Sequence, residues 1–499
     1  MHATVRFLLA GKTEEVHNCD PTRTVLEFLR EDKQLKGTKE GCAEGDCGAC
    51  TVVIGELQDG GIRYRAVNSC IQFLATLDGK QLLTVEDLSR AGRHQRGPEL
   101  HTVQQAMVEA HGSQCGFCTP GFVMSLFAMF HDDPEHAKTR TDIDLGLAGN
   151  LCRCTGYAPI VRAAEQALSA RRKDRFMQDQ KQLVTRLRSI QDEKSLATGQ
   201  GDRKFFAPSS LPELCELLQR HPDAVMLAGG TDIGLWVTKQ MRTFDTVIYL
   251  SAVSELQQLE DNGQHVLIGA AVSYSDAVRA ISRHYPAFGP LIERLGSVQV
   301  RNAGTVGGNI ANGSPIGDMP PGLIAAGARL ALHSLAGRRV IELEDFFISY
   351  GEQDLRPGEC VEQVILPVPD PDRLFATYKV SKRFEQDISA VCGAFSLHLE
   401  NGTIRDARVC FGGMAEIPKR ARVCEKTLNG SPWNQRTIDG AMRALAEDFA
   451  PITDMRASAE YRMRVAQNLL QRFYLEHSAQ AYPVRLSRRF EADRVDACE

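Results

Sequence analysis

Eight of the fifteen cysteines stand in two groups within the first third of the chain, and this grouping limits the fold more than any other feature. In a reducing compartment, grouped cysteines are typical of metal ligands rather than disulfides. The sequence therefore predicts two metal centres near the N-terminus. Isolated cysteines are more often packing residues. The seven isolated cysteines are Cys19, Cys215, Cys360, Cys392, Cys410, Cys424 and Cys498.

The first group is spaced as C-x4-C-x2-C, followed by a fourth cysteine after nineteen intervening residues. This is the plant-type [2Fe–2S] spacing, in which four thiolates converge on two irons. Glycines at 41, 45 and 48 suit a backbone that wraps closely around such a core and directs N–H groups at its sulfurs. Zinc sites favour repeated C-x2-4-C pairs, which this group does not supply. The predicted ligands are Cys42, Cys47, Cys50 and Cys70.

The second group consists of a C-x2-C pair and, after thirty-three intervening residues, a C-x-C pair. A C-x-C pair is uncommon in structural zinc sites, so the spacing favours a second iron–sulfur centre and leaves zinc as the alternative. The predicted ligands are Cys115, Cys118, Cys152 and Cys154.

The pattern along the chain predicts four folded regions and a linker. Residues 1–90 show the order strand, strand, helix, cysteine loop, strand, which is the order of a β-grasp domain. Residues 91–169 are mostly helical, and 170–203 have the mixed charges and glycines typical of an interdomain linker. Residues 204–372 alternate strands and helices, and 373–490 form strands followed by a helical tail.

Charge and hydropathy exclude two classes of partner. The 58 basic and 63 acidic residues give a formal net charge of −5, which provides no basic footprint for nucleic acid. No run approaches the ~18 apolar residues that a membrane-spanning helix needs. The N-terminus has a short strand and a turn instead of a signal peptide, so we expect a cytoplasmic protein.

Two glycine-rich loops in the α/β region are candidates for binding a dinucleotide. The segment 225–234 is a strand that enters a Gly-Gly-Thr loop, whose main-chain N–H groups could approach a pyrophosphate closely. It is not a G-x-G-x-x-G motif, and alone a tight turn is the better interpretation. A second loop at 297–310, followed by Ser-Pro-Ile-Gly-Asp at 314–318, makes a large dinucleotide the better interpretation.

These motifs resemble one known family. The segments 40–50, 114–121 and 149–157 are similar to the iron–sulfur half of the xanthine dehydrogenase family of molybdenum hydroxylases, which includes aldehyde oxidases and carbon monoxide dehydrogenases. The two glycine-rich loops resemble its FAD domain, and 411–415 with 458–462 resemble its flavoprotein C-terminal domain. The resemblance implies a multidomain α+β protein: a β-grasp 2Fe–2S ferredoxin domain, a helical-bundle 2Fe–2S domain, an α/β FAD-binding domain of the vanillyl-alcohol-oxidase (PCMH) type, and an α+β flavoprotein C-terminal domain.

The resemblance also implies which residues contact the cofactors. One group of FAD contacts is Leu227, Ala228, Gly229, Gly230, Thr231, Asp232 and Ile233. The other is Thr305, Gly308, Asn309, Asn312 and Asp318, with Leu295, Val361 and Lys379 at less well-defined positions. Lys379 is a candidate cation beside the flavin, with a solvated surface lysine as the alternative. Tyr350 matches a nicotinamide-binding position, although an aromatic there could also belong to the core, and 384–388 match a mobile acidic loop.

The resemblance implies that the chain is the electron-transfer subunit of a molybdenum hydroxylase of the xanthine dehydrogenase type. Electrons pass from a molybdenum centre through two [2Fe–2S] clusters, the ferredoxin-type cluster last, to FAD and then NAD+, as hypoxanthine and xanthine become urate. No segment resembles the molybdopterin domain, which implies a large molybdenum-binding partner and a dimer of heterodimers. The chain itself then holds no residue that acts on the purine. The alternatives are a subunit of a hydroxylase for aldehydes or N-heterocycles, and a stand-alone electron-transfer protein.

Overall fold

The chain is described by a computed structural model that covers residues 1–89, 99–132, 139–169, 173–191 and 194–478. It folds into two compact units. The first holds Met1–Val253 together with Gly296–Gly304, and the second holds Ser254–Leu295 together with the described residues from Thr305 onward. None of the described helices is both long enough and apolar enough to pass through a lipid bilayer.

The N-terminal region is the predicted β-grasp domain. Its five strands have the order β2-β1-β5-β3-β4, with β1 parallel to β5 and the other pairs antiparallel. Thr24 begins the single helix because its hydroxyl and the Glu27 carboxylate form a capping box. The elements are β1 (Val5–Leu9), β2 (Lys12–Val16), α1 (Val25–Glu27, continued by a π-helical turn at Phe28–Asp32), β3 (Thr51–Gln58), β4 (Gly61–Asn68) and β5 (Gln81–Leu83).

The second domain is helical, as predicted, and its described residues form four helices. The central helix α3 buries most of its residues, because it is apolar on every face and is surrounded by the others. Phe122, Phe127 and Phe130 from this helix are fully buried. The helices are α2 (Thr102–Glu109), α3 (Thr119–His131), α4 (Arg140–Leu147) and α5 (Ala158–Ser169).

The prediction of a linker at 170–203 is wrong for its described part, which has regular structure. Two helices, α6 (Arg175–Gln178) and α7 (Gln180–Ile190), precede the strand β6 (Leu196–Gln200). Most residues of α7 are charged or polar, but one face of the helix is an apolar stripe. The stripe consists of Val184, Leu187 and Ile190, spaced by three residues. Gly199 lies in β6, where it pairs with Lys204, and Gly201 lies in the turn of the β-hairpin, with a φ of +62°. Residues 170–172, 192 and 193 lie outside the described part.

The first half of the predicted FAD-binding domain belongs to the first unit. Its sheet has the order β6-β7-β9-β8, in which β7, β9 and β8 are parallel and β6 is antiparallel to β7. Strand β6 extends this sheet beyond the predicted start of the domain at 204. The remaining elements are β7 (Arg203–Ala207), α8 (Leu211–Arg220), β8 (Val225–Leu227), α9 (Ile233–Thr238) and β9 (Thr246–Tyr249).

The second unit begins with an antiparallel sheet of order β10-β11-β16-β12-β13. Strands β14 and β15 form a separate hairpin, and helix α12 belongs to the first unit. The strands are β10 (Leu259–Asp261), β11 (His265–Gly269), β12 (Arg329–Ser334), β13 (Gly337–Glu342), β14 (Phe347–Ser349), β15 (Glu352–Gln353) and β16 (Cys360–Pro367). The helices are α10 (Tyr274–His284), α11 (Gly289–Glu293), α12 (Val298–Ala303), α13 (Val306–Ala311) and α14 (Met319–Ala325).

The C-terminal domain packs three helices against an antiparallel sheet of order β17-β18-β19-β20. Its core holds Phe395, Phe411 and Phe473, all at most 1% exposed. The elements are β17 (Leu374–Val380), β18 (Val391–Glu400), β19 (Thr403–Gly412), β20 (Lys419–Arg420), α15 (Arg422–Leu428), α16 (Gln435–Asp448) and α17 (Ala459–Glu476). The last part of the predicted domain, 479–490, and Cys498 lie outside the described residues.

Candidate iron–sulfur and flavin sites

Cys42 and Cys47 face each other in the loop that precedes β3. The N–H of Cys47 donates to Cys42 Sγ at 3.3 Å, and the N–H of Cys42 donates to Cys47 Sγ at 3.4 Å. A hydrogen bond from the Cys47 thiol and main-chain N–H groups of Cys47, Glu44 and Asp46 lower the pKa of Cys42 to about 5. The loop therefore favours the thiolate of Cys42, which is the form that binds iron, while the same hydrogen bond raises the pKa of Cys47.

Cys50 and Cys70 form a second close pair, with their sulfurs 3.2 Å apart and each residue 2% exposed. The hydrogen bond from the Cys70 thiol lowers the pKa of Cys50 despite its burial. Cys42 lies close enough to act electrostatically on both thiols. The four cysteines predicted for the first site therefore converge, as two pairs.

The second group also converges as two pairs. Cys118 shares a hydrogen bond with Cys152, and Cys115 shares one with Cys154. Burial opposes ionisation of Cys152, but the hydroxyl and N–H of Thr155, at 3.2 and 3.4 Å from its sulfur, lower its pKa. The chain exposes Cys115 and Cys154 at its surface.

This pairing bears on the choice between iron–sulfur clusters and zinc. A zinc ion gathers four ligands around one point, whereas a diiron core needs two thiolates at each of two irons. The two pairs in each group therefore fit a [2Fe–2S] core better than a single zinc ion.

The glycines of the first cysteine loop are needed for close contacts. A Cβ on Gly41 would lie 2.7 Å from Cys47 Sγ, and Gly45 has a φ of +75° with its Cβ position 2.5 Å from Ile71 Cδ1. A Cβ on Gly48 would lie 2.1 Å from the carbonyl oxygen of Gly149, in the second cysteine domain. Two of these glycines therefore shape the loop itself, and the third lets the two cysteine loops touch.

The Gly-Gly-Thr loop of the first unit lies against the first cysteine group. Gly230 has a φ of +74°, and Cβ positions on Gly230 and Gly234 lie 3.3 and 2.8 Å from the carbonyl oxygen of Ile71, the neighbour of Cys70. The described residues offer no acceptor to the N–H groups of residues 229–231. Buried or half-buried N–H groups require a partner, so this loop fits an anion such as a pyrophosphate.

The other predicted FAD residues lie in the second unit, where several contact one another. Thr305 caps α13 by accepting a hydrogen bond from the N–H of Gly308, and Asn312 ends the same helix. Asn309 Oδ1 accepts from the N–H of Met319 at 3.3 Å, beside Asp318. The structure thus brings the predicted polar contacts of this unit into one neighbourhood.

Lys379 is buried, so the alternative of a solvated surface lysine is wrong. Its side chain is 3% exposed and forms an ion pair with Asp318, which is 4% exposed. The hydroxyl of Ser389 donates to the other oxygen of the Asp318 carboxylate, and the Cys392 thiol lies 3.8 Å from the Asp318 carbonyl oxygen. The ammonium group is therefore held by a carboxylate within the chain itself.

Arg294 was not predicted as a site residue, although it contacts several predicted positions. Its guanidinium donates to the carbonyl oxygens of Lys379 and Phe384 at 2.9 and 3.1 Å, and to Ser381 Oγ at 3.1 Å. It also lies 4.4 Å from the centre of the Phe384 ring, and burial lowers its pKa. No motif marks this arginine in the sequence, because its partners are about ninety residues away.

The remaining predicted positions fall into two types. Leu295 and Val361 are buried apolar residues at 8% and 6% exposure, which can contact a ring system only by packing. Tyr350 is 74% exposed at the turn between β14 and β15, so it does not belong to the core. Phe384 and Ile388 of the predicted mobile loop are also exposed.

Four family models match successive parts of the chain. Residues 7–72 match a 2Fe-2S iron-sulfur cluster binding domain, and 84–165 match a [2Fe-2S] binding domain. Residues 200–369 match the FAD binding domain in molybdopterin dehydrogenase, and 376–477 match the CO dehydrogenase flavoprotein C-terminal domain. These matches confirm the fold class inferred from the motifs, and they include two cluster-binding domains and one FAD-binding domain.

Known proteins with these domains include xanthine dehydrogenases. The chain is 32% identical to the xanthine dehydrogenase of Emericella nidulans and 30% identical to the xanthine dehydrogenase/oxidase of Rattus norvegicus, in both cases over 94% of this chain. It spans only 38% of the length of these two relatives.

Solved structures include carbon monoxide dehydrogenase from Hydrogenophaga pseudoflava, with 25% identity and a TM-score of 0.52 over 55% of this chain and 96% of that chain. Quinoline 2-oxidoreductase from Pseudomonas putida 86 gives 26% identity and a TM-score of 0.50 over 54% of this chain and 94% of that chain. The chain therefore belongs to the molybdenum hydroxylase family, of which it carries the two iron–sulfur domains and the flavin domains.

Proposed function

We propose that the chain is the electron-transfer subunit of a xanthine dehydrogenase. It carries electrons from a molybdenum centre on a partner chain to FAD and NAD+ during the oxidation of hypoxanthine and xanthine to urate. The similarity to xanthine dehydrogenases over 94% of the chain supports this choice of substrate. The first cysteine group (Cys42, Cys47, Cys50, Cys70) holds one [2Fe–2S] cluster and the second (Cys115, Cys118, Cys152, Cys154) holds the other.

One observation carries the proposal: the first cysteine loop contacts two other sites of the first unit at once. On one side the N–H of Leu151, the neighbour of Cys152, donates to the carbonyl oxygen of Cys47 at 3.0 Å. On the other side the Gly-Gly-Thr loop packs on Ile71, the neighbour of Cys70. This order of contacts supports a route from the second cysteine group through the first to the flavin.

The residues predicted to hold FAD offer it suitable groups. Bound FAD supplies a carrier that can take up electrons singly and release them as a pair to a nicotinamide. The N–H groups of residues 229–231 suit its pyrophosphate. The buried pair of Asp318 and Lys379 supplies polar groups of both signs without a net charge. Tyr350, at an exposed turn, remains the candidate contact for NAD+.

The surface around the second cysteine group supports a docked partner. Cys115 and Cys154 are exposed there, and Phe117, Leu151 and Tyr157 expose between 40% and 48% of their surface. Apolar side chains beside exposed ligand sulfurs suit an interface that a second protein covers. We propose that this partner is the large subunit that binds molybdopterin, in a cytoplasmic dimer of heterodimers.

A second candidate function is a hydroxylase of N-heterocycles or aldehydes. The structural similarity to quinoline 2-oxidoreductase favours it specifically, because that protein is named for an N-heterocyclic substrate. To distinguish the two, the chain is purified with its partner, and turnover of hypoxanthine, xanthine, quinoline and simple aldehydes is compared with NAD+ or oxygen as acceptor. We expect purine turnover coupled to NAD+. Turnover of quinoline or aldehydes without purine turnover would contradict the proposal, and purification without a molybdenum-bearing chain would favour a stand-alone electron-transfer protein.

The ligand assignment predicts a selective effect of Cys70→Ser. A hydroxyl is a poor ligand for iron in such a core, so we expect loss of one cluster and of about half of the iron and sulfide. The second cluster keeps its EPR signal, while NAD+-linked turnover is lost. Cys215→Ala, at an isolated cysteine that is 1% exposed, is the control and retains all the iron. Full iron content in Cys70→Ser, or zinc in the unmodified protein, would contradict the assignment.

A further inference from the structure

One side chain of helix α12 contacts both cysteine domains. Gln299 is 1% exposed and lies in the stretch 296–304, which belongs to the first unit although its flanks belong to the second. Its Nε2 lies 3.1 Å from Asn150 Oδ1, 3.1 Å from Ser125 Oγ and 3.2 Å from Thr51 Oγ1. All four side chains are at most 2% exposed. A single amide group thus links the flavin domain to both iron–sulfur domains.

The orientation of the two amides in this network is fixed by an atom that can only accept. The carbonyl oxygen of Gly48 accepts a hydrogen bond from Asn150 Nδ2 at 3.0 Å, so Asn150 must turn its Oδ1 to the opposite side. That oxygen accepts from the Ser125 hydroxyl at 2.6 Å and from Gln299 Nε2. The second proton on Asn150 Nδ2 goes to Thr51 Oγ1 at 3.2 Å. Every hydrogen-bonding position of the Asn150 side chain is therefore in use.

Asn150 holds a contact between the two cysteine loops. The next residue, Leu151, donates its N–H to the carbonyl oxygen of Cys47 at 3.0 Å, beside the bond from Asn150 to Gly48. Leu151 is bonded covalently to Cys152. The path from the Cys47 sulfur to the Cys152 sulfur therefore crosses one hydrogen bond and otherwise follows covalent bonds.

Three glycines bring the backbones together around this contact. A Cβ on Gly48 would lie 2.1 Å from the carbonyl oxygen of Gly149, and a Cβ on Gly121 would lie 2.2 Å from that of Gly48. A Cβ on Gly149 would lie 1.9 Å from Gln299 Oε1. No side chain fits between the loops, so the Gln299 amide packs directly on the backbone of the second cysteine loop.

We propose that Gln299 is a positioning residue for electron transfer between the two clusters, acting through Asn150 on the hydrogen bond between Leu151 and Cys47. This inference rests on the proposed function. In the step concerned, one electron leaves the cluster of the second cysteine group and enters that of the first, and no proton or covalent bond is exchanged. Electronic coupling falls steeply with distance and is stronger through a hydrogen bond than across a gap. The geometry that the amide maintains therefore sets the rate.

Helix α12 also contacts the β-grasp domain through a polar side chain other than Gln299. Asn302 Nδ2 donates to the carbonyl oxygen of Ala66 on β4 at 2.9 Å, and this contact does not involve either cysteine loop. Asn302 therefore provides a matched control on the same helix, with an amide of the same chemistry that bridges to the same unit.

The experiment compares Gln299→Met with Asn302→Leu in the full chain bound to its partner. Methionine fills a similar volume but donates no hydrogen bond. Rapid-freeze EPR after reduction through the partner gives the rate of transfer between the clusters, and we expect a decrease of about tenfold or more in Gln299→Met. The magnetic interaction between the two clusters, measured after chemical reduction of both, weakens in the same variant. Iron content stays unchanged, and Asn302→Leu alters neither signal.

An unchanged rate and magnetic interaction in Gln299→Met would overturn the proposal, as would equal losses in Asn302→Leu, since the effect would then be helix docking. If Gln299→Met loses a cluster, Ser125→Ala takes its place, because it removes one contact of the amide and leaves the bond from Asn150 to Gly48. We then expect smaller decreases in the transfer rate and in the magnetic interaction. If both stay unchanged in Ser125→Ala, the proposal is contradicted. Absence of clusters from the unmodified protein would refute the proposed function instead.

Discussion

At the scale of single residues, the buried polar side chains form groups whose members are far apart in sequence. Lys379 and Asp318 are separated by 61 positions, and both are almost fully buried. The sequence indicated that each belongs to the flavin site, but it did not indicate that they neutralise each other. A single amino-acid sequence does not reveal such a pair, because the two residues are too far apart to form a recognisable motif.

This pair predicts the outcome of Lys379→Met. Removal of the ammonium leaves the Asp318 carboxylate buried with Ser389 as a neutral donor, which costs about 3–5 kcal/mol of stability. We expect a lower unfolding temperature in calorimetry together with loss of bound flavin. The double variant Lys379→Met, Asp318→Asn has no uncompensated charge and should recover part of the loss. A single variant as stable as the wild type would show that the pair contributes little.

A second buried group predicts a dependence of stability on pH. Asp174 Oδ2 lies 2.7 Å from His101 Nε2 and 2.9 Å from His131 Nε2, and its Oδ1 caps α6. Burial opposes ionisation of Asp174, but the bonds from the two histidines outweigh it and hold its pKa well below the usual range. A depressed pKa stabilises the fold above the ordinary aspartate pKa of about 3.9, and this contribution is lost as the pH falls below it.

We therefore expect Asp174→Asn to lower the free energy of unfolding at neutral pH by roughly 1.5–3 kcal/mol. The difference from the wild type should shrink as the pH falls below the ordinary aspartate range, and it is measured by denaturant titration at a series of pH values. Asp223→Asn, at an exposed position in a turn, is the comparison. A difference that is constant down to strongly acidic pH would contradict this account.

At the scale of elements, most strands and helices could be predicted from periodicity, and the failures have identifiable causes. The apolar pattern predicts strands at 3–9, 361–367 and 375–379 and helices at 121–130 and 459–474. Strands β1, β16 and β17 and helices α3 and α17 end within two residues of these bounds, because each has a continuous apolar pattern or a clear cap. Helix α7 was missed because charged residues surround its apolar stripe. Its stripe meets Leu8 of the β-grasp domain, a partner that local sequence does not reveal.

Because α7 is a packed helix and not a linker, we expect Leu187→Ala to lower the stability of the fold strongly. Leu187 is fully buried against Leu8 and Ile190, so its truncation leaves a cavity and should cost about 2–5 kcal/mol. Arg188→Ala, at the adjacent exposed position, should change stability by no more than about 0.5 kcal/mol. Calorimetry of both variants distinguishes a packed helix from a linker, since a linker would tolerate the two substitutions equally.

At the scale of the whole molecule, the kind of each site could be predicted from the sequence, but the arrangement of the side chains within it could not. Cysteine spacing indicated two clusters, and the structure then showed each group as two pairs of thiols. The contact of Gln299 with Thr51, 248 positions away, had no sequence signal. Spacing rules describe ligands on one loop, whereas contacts between loops depend on how separate domains pack. For the same reason the pairing of Asn150 with Gly48 was not predicted.

Helix α12 has a consequence for how the protein is made. The first unit takes Gly296–Gly304 from beyond a stretch that belongs to the second, so a ribosome has synthesised about three hundred residues before this helix is available. Until then, the amides and hydroxyls of Thr51, Ser125 and Asn150 lack one of their partners. A gene truncated after Val253 would encode every cysteine that we propose as a cluster ligand and yet leave this part of the fold unfinished.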